Sequence, residues 1–269
     1  MSQSLNTTQT TGISPEAYQY AGSYGLGTPI QEYKVSYTKK TIVSFIFALI
    51  LTIGFLWLGY GSATDPASDG SSIVAFEIIA ALFFLMGLYM LLYPLIYRSW
   101  HMYICTEGFV SLRWGKVQAY RWDQIAAIWV AVTKFYRYGI KTNTTYRYTV
   151  QGKDGTKIKF TNTYTSIEQL GNTLVEKSTQ ALLPSAIASF NAGQTLGFGS
   201  LNVNQQGIMS NRGDLLPWGQ IAQAKVESGS LIIKKQGKML SWASATVASV
   251  PNFYVLLAVI DYARSNQAR

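Results

Sequence analysis

Two stretches of twenty residues, 41–60 and 78–97, contain no charged side chain. They constrain the fold more than any other feature. At a rise of ~1.5 Å per residue, twenty helical residues span roughly 30 Å, the thickness of a bilayer's hydrocarbon core. The second stretch stays apolar back to Ile73, interrupted by Glu77. The twelve residues between, 61–72, hold two glycines, a proline and two aspartates and read as a polar turn. Two such stretches so close together are rare in soluble cores, so the expectation is a transmembrane hairpin with helices near 41–60 and 73–97. The residues ahead of it are polar and lack the early apolar core of a secretory signal. The first helix is therefore expected to remain as an anchor.

Cations orient the hairpin. Lys34, Lys39 and Lys40 precede it, Arg98, Arg113 and Lys116 follow it, and its turn has neither Lys nor Arg. The positive-inside rule then puts both termini in the cytoplasm and the turn outside. Trp57, Tyr60, Tyr93, Tyr97 and Trp100 suit interfacial aromatic belts. Glu77 is expected about one turn inside the outer interface. It reads either as an acid that snorkels to water or as a functional intramembrane carboxylate. Neither helix carries a Gly-xxx-Gly pair for tight dimerisation.

The rest of the chain divides by composition. Residues 1–33 are rich in Ser, Thr, Gln, Gly and Tyr and are expected to be a disordered polar segment. Residues 34–100 form the hairpin with its flanks. Beyond residue 100 short alternating runs replace the apolar stretches, as β-strands require. Gly152-Lys-Asp-Gly155 marks a hairpin between 146–151 and 156–161. Thr165-Ser-Ile-Glu168 reads as a capping box that opens a helix with Ile167, Leu170, Leu174 and Ala181 as its stripe, stopped or restarted at Pro184.

The second half follows the same plan. Leu201-Asn-Val-Asn-Gln-Gln-Gly207-Ile aligns with Met102-Tyr-Ile-Cys-Thr-Glu-Gly108-Phe, and Trp218-Gly-Gln-Ile-Ala222 with Trp122-Asp-Gln-Ile-Ala126. The Gly-to-Trp spacings, 11 against 14, differ by an amount a hairpin can absorb. A final helix is expected over about 251–264. The pattern suggests an internal duplication, with domains at 101–183 and 184–269.

A strand, a turn glycine, a Trp-x-x-Ile strand and a closing helix resemble the pleckstrin-homology-like domains of bacterial membrane proteins. The region from Tyr103 onward also resembles an uncharacterised bacterial family in which a membrane hairpin precedes such domains. Gly25-Leu-Gly-Thr-Pro29, Leu196-Gly-Phe-Gly199, Leu216-Pro-Trp218 and Val250-Pro-Asn252 share in that likeness. The resemblance implies an α+β architecture: a two-helix transmembrane hairpin followed by one or two pleckstrin-homology-like β-rolls, each closed by a helix. It implies the bacterial cytoplasmic membrane as location. It transfers no functional residue.

The chemistry legible in the chain is sparse. His101 and Cys105 are the lone members of their types; four strand residues apart they stand about 13 Å from each other, too far for a nucleophile–base pair. The single cysteine excludes an internal disulfide and is compatible with a reducing compartment. No metal-ligand spacing or phosphate-cradling loop is present, so neither metal nor cofactor is expected, and the chain reads as non-enzymatic. The net charge of +9 is concentrated in residues 98–160, with eleven Lys or Arg against three Asp or Glu. Lys134, Arg137, Lys141 and Arg147, interleaved with aromatics, are the candidate lipid- or partner-binding residues. They read as an ordinary solvated hairpin face or as a patch resting on anionic headgroups. Binding of an acidic protein is a further reading, and nucleic acid is not expected at a membrane tether. The function expected is a membrane-anchored interaction module presenting its rolls to anionic lipid or protein partners at the cytoplasmic face. The alternative is a subunit of a transport or envelope-assembly complex.

Overall fold

The computed structural model describes residues 12–35, 39–65 and 70–267. In chain order these are α1 (Pro15–Ser23), β1 (Pro29–Lys34), α2 (Lys39–Thr64), α3 (Gly70–Ile96), β2 (His101–Cys105), β3 (Gly108–Arg113), β4 (Lys116–Arg121), β5 (Ile125–Arg137), β6 (Ile140–Gly152), β7 (Lys157–Thr161) and α4 (Ile167–Asn191). Then follow β8 (Leu196–Phe198), β9 (Leu201–Asn204), β10 (Gly207–Ser210), β11 (Leu215–Pro217), β12 (Ile221–Glu227), β13 (Ser230–Lys235), β14 (Ser241–Thr246) and α5 (Phe253–Gln267). The fold is α+β: two apolar helices followed by antiparallel sheets. The chain forms two compact units. One comprises Glu32–Tyr103 and Ser111–Gln118, the other Ile104–Val110, Ala119–Arg269 and the residues up to Gln31.

In the first unit, α2 and α3 are long and apolar enough to cross a membrane. Core helices of a soluble protein would be mostly buried, yet the apolar windows of these two are only 17% and 11% buried. They meet along small residues: Ala48 and Ala80 are buried, and a Cβ on Gly87 would lie 3.3 Å from the Ala48 Cβ. Phe55 stacks on Phe83 at 5.6 Å, and the Thr52 hydroxyl donates to the Ala48 carbonyl at 2.9 Å, so no polar atom of Thr52 is left bare. The missing Gly-xxx-Gly pair is replaced by Ala80 and Gly87, seven residues apart. Residues 66–69 of the connecting turn lie outside the described residues. Glu77 is on the exposed side of α3.

Where α3 ends, rings form a chain: Tyr93–Tyr97 at 4.6 Å, Tyr97–Trp100 at 4.8 Å and Trp100–Trp114 at 4.9 Å, with the Arg113 guanidinium 4.7 Å from the Trp100 ring centre. Such an aromatic and cationic collar suits a membrane–water boundary. The strand entering the hairpin, β1, pairs with the strand leaving it, β2, and His101 Nδ1 lies 3.3 Å from Glu32 Oε1 across that pair. The two ends of the hairpin therefore lie together.

This pairing corrects two sequence expectations. Residues 12–33 are not a disordered segment, because Ala17, Ala21, Leu26 and Tyr33 are buried and β1 completes a sheet of order β1-β2-β3-β4. Leu26 C=O accepts from Glu107 N–H and Thr28 C=O from Thr106 N–H, both at 3.0 Å. Backbone pairing holds the segment where composition alone offers little apolar surface. The first eleven residues lie outside the described residues. The hairpin is thus inserted between the first and second strands of a sheet, rather than preceding a separate domain at residue 101.

In the second unit, β5-β6-β7 and β12-β13-β14 are three-stranded antiparallel sheets, and β8–β11 repeat the order of β1–β4. The two halves match in detail. Trp122 and Trp218 each open a 3₁₀ turn, are buried, and donate their indole N–H at 3.0 Å to a backbone carbonyl shortly before the turn glycine, Thr106 and Asn204 respectively. A Cβ on Gly108 would collide with the Tyr120 carbonyl, and one on Gly207 with the Leu216 carbonyl. A register shift falls at matching places, Ile125/Ala127 in one half and Ile221/Gln223 in the other. The spacing difference sits in a hairpin: six-residue strands joined by Trp114-Gly115 in the first half, strands of four and three residues in the second.

The domain boundary proposed at Pro184 falls inside α4, which runs unbroken to Asn191. The early turns of α4 bury Ile167, Leu170 and Leu174, while Leu182, Leu183, Ala186, Ile187 and Phe190 pack into the core of the second half. Both cores need this helix, so it continues through the proline. The helix starts one residue later than the Thr165–Glu168 pattern implies: its capping position is Ser166, which adopts a left-handed conformation (φ 53°) and makes no side-chain cap bond. Gly171 lets α4 approach the first sheet, because a Cβ there would run into the Tyr148 ring.

Candidate functional site

β5 and β6 extend well past the rest of their sheet. β7 pairs with β6 only from Arg147 to Gln151, whereas the β5–β6 ladder continues to Arg137↔Ile140. From Val132 to Asn143 every residue is exposed. The result is a bare two-stranded arm, about 20 Å long at ~3.3 Å per residue. The halves supply an internal control: β12 and β13 have seven and six residues where β5 and β6 have thirteen each. Both hairpins end in the same kind of two-residue turn with positive φ, Tyr138-Gly139 and Ser228-Gly229. The added length is therefore not needed to close the sheet.

The arm carries apolar rings and cations on both faces. Paired residues share a face and residues alternate along β5, while opposite Phe135/Tyr136 the register shifts past Thr142, a bulge in β6. Val132, Lys134 and Tyr136 thus lie with Lys141 and Thr144 on one side, and Phe135 and Arg137 with Ile140 and Asn143 on the other. Tyr138, at the tip, is 91% exposed and holds φ 51°, a conformation in which a bulky side chain is an outlier. The Arg137 guanidinium lies 5.7 Å from the Tyr138 ring centre.

Of the four residues singled out from the sequence, the structure places Lys134, Arg137 and Lys141 on the arm. Arg147 stands at its foot, opposite Ala131. It shares the outer face of the sheet with Lys157 and Lys159, where the Lys157 ammonium lies 5.1 Å from the Trp129 ring centre. The basic run is therefore two groups: one on the arm, one on the sheet. The extent to which Phe135, Tyr136, Tyr138 and Ile140 stand clear of any core was not legible, because a β-branched and aromatic run reads equally well as a buried strand.

Titratable groups elsewhere serve local structure. The Tyr120 hydroxyl donates to Asp154 at 2.8 Å and, with Thr156, holds that carboxyl below its usual range. Burial pushes the Cys105 thiol up to about 11. Among the described residues no group of three or more His, Cys, Asp or Glu stands together to hold a metal ion.

The chain belongs to a family of unknown function, DUF6585, which it matches over residues 1–269. No curated protein and no solved structure matches it.

Proposed function

We propose that this member of DUF6585 is a membrane-anchored, non-enzymatic interaction module. In this reading α2 and α3 cross the bacterial cytoplasmic membrane as a hairpin with both chain ends in the cytoplasm. The two matched halves are pleckstrin-homology-like rolls, each of four strands, three strands and a helix. The β5–β6 arm rests on anionic lipid headgroups through Lys134, Arg137 and Lys141, with Arg147 assisting from the sheet. Support for the anchor comes from the exposure of α2 and α3, the aromatic collar below α3, and the meeting of the hairpin's ends at β1 and β2.

The observation that carries the lipid reading is the arm itself. A two-stranded hairpin alone is marginally stable in water. This one also exposes Tyr136, Tyr138 and Ile140 beside three cations. Rings and basic groups together suit an anionic interface, where each cation near the surface contributes about 1 kcal/mol. Because the hairpin tether never lets go, contacts too weak to recruit a free protein are still made. Screening over ~8 Å at physiological salt restricts the effect to cations at the bilayer.

The test uses the full chain in lipid nanodiscs, with Tyr138→Cys carrying an environment-sensitive fluorophore. The expected result is a blue shift in discs containing anionic lipid and not in zwitterionic discs. Added salt, or the combined Lys134→Ser, Arg137→Ser and Lys141→Ser changes, should reverse it, and Arg147→Ser alone should reduce it less. A fluorophore that stays in water in anionic discs at low salt removes the lipid reading. A stoichiometric membrane complex co-purifying in mild detergent would favour a subunit role instead.

A further inference from the structure

The two halves differ at a second place, the loop joining the last two strands of each three-stranded sheet. Their scaffolds agree. Lys153 N–H donates to Gln124 C=O at 2.8 Å, and Gln236 N–H to Gln220 C=O at 2.8 Å. Gly155 N–H then reaches back to Gly152 C=O, and Lys238 N–H to Lys235 C=O. The side chains do not agree. In the first half Asp154 accepts from Tyr120, from the Thr156 N–H and from the Thr156 hydroxyl, which closes a four-residue polar turn. In the second half the loop runs one residue longer, 236–240, and ends on Met239 and Leu240, which are 95% and 84% exposed. Lys234, Lys235 and Lys238 flank them.

We infer that loop 236–240 is a second membrane contact, in which Met239 and Leu240 enter the headgroup–acyl boundary of an anionic leaflet while the three lysines meet its phosphates. The first half shows that this connection folds without an apolar tip, so folding does not account for the pair. Two large apolar side chains at the end of a narrow loop cannot cover the ~800 Å² per partner of an ordinary protein interface. They do match the shallow insertion of apolar groups beside Lys that holds interfacial segments on anionic lipid. A tethered chain also has a leaflet within reach at all times. The inference rests on the membrane reading above but on none of the arm's residues.

The experiment again uses the full chain in nanodiscs, now with the fluorophore on Met239→Cys. Buried Cys105 stays unlabelled. With anionic lipid present, a blue shift is expected together with quenching by a nitroxide placed at shallow depth on the lipid. Leu240→Ser should weaken both, and Lys234→Ser, Lys235→Ser and Lys238→Ser combined should abolish the dependence on anionic lipid. A water-like emission in anionic discs, or a blue shift without lipid quenching, overturns the inference. The arm probe at position 138 separates the two proposals. A response at 239 alone retires the arm and keeps the loop; a response at 138 alone does the opposite.

Discussion

Asn252, at the start of α5, completes the open edge of β5 through Ile128. Its side-chain oxygen accepts the Ile128 N–H at 2.9 Å and its own N–H donates to the Ile128 carbonyl at 2.9 Å. Its side-chain nitrogen donates to Ala126 C=O, also at 2.9 Å. One residue of the second half thus occupies the place of a neighbouring strand in the first, and its left-handed φ of 52° aims it there. Asn tolerates this conformation better than most residues.

Replacing Asn252 by Ala should therefore expose the β5 edge. The Ile128 N–H is part-buried and the Ala126 C=O exposed, so losing both side-chain bonds should cost roughly 1 kcal/mol, the lower end of the range for an unsatisfied group. Asn252→Gly should cost less backbone strain but lose the same two side-chain bonds. Amide hydrogen exchange read by mass spectrometry should show faster exchange over residues 126–130 in both variants. Unchanged protection there would mean that Asn252 does not hold the halves together.

The paired tryptophans give a second expectation. Each is buried with a satisfied indole N–H, so Trp122→Ala and Trp218→Ala should each destabilise by roughly 3–5 kcal/mol, mainly through the cavity left behind. Gly108→Ala and Gly207→Ala push a methyl into backbone at matching places and should also act alike. Chemical denaturation of the four variants checks this. A large loss in one half beside a negligible one in the other would contradict their equivalence.

Cys105 supplies a pH signature. Burial raises its pKa from an ordinary 9.0 to about 11, so the folded chain keeps the proton longer than the unfolded one. The associated stability is complete below pH 9 and is lost as pH climbs through about 11. At pH 8 a water-soluble thiol reagent should label Cys105 only after denaturant is added. Rapid labelling of the native protein would show that the base of β2 is open to water.

Much of this architecture was legible. The uncharged stretches announced α2 and α3 because a helix long and apolar enough to cross a membrane is defined by its composition alone. Gly108, Gly207, Trp122 and Trp218 revealed the repeat because each fills a site that few residues tolerate. β1 escaped notice because Pro29–Lys34 is short and polar, and its place is fixed by backbone bonds to a strand about seventy residues on. Pro184 does not end α4 because a proline's local cost is outweighed by the packing of Phe190 and its neighbours into the core of the second half. The cations were visible, but their division between arm and sheet depends on register, and the exposed Met239–Leu240 tip could not be told from an ordinary strand end.

The arrangement of β1 also sets how the chain must be studied. A fragment starting after the hairpin would lose an edge strand of the first sheet, so soluble truncations are expected to be less stable than the full chain.

The hairpin topology is tested most directly by labelling single cysteines in whole cells, with the outer barrier made permeable and the cytoplasmic membrane intact. Ala63→Cys lies at the end of α2 beside the turn, and Ser241→Cys is exposed on β14. An impermeant thiol reagent should label position 63 and leave position 241 untouched until the membrane is lysed. Labelling of 241 but not 63 would place the β-rich halves outside the cell, and labelling of neither or both before lysis would contradict a spanning hairpin.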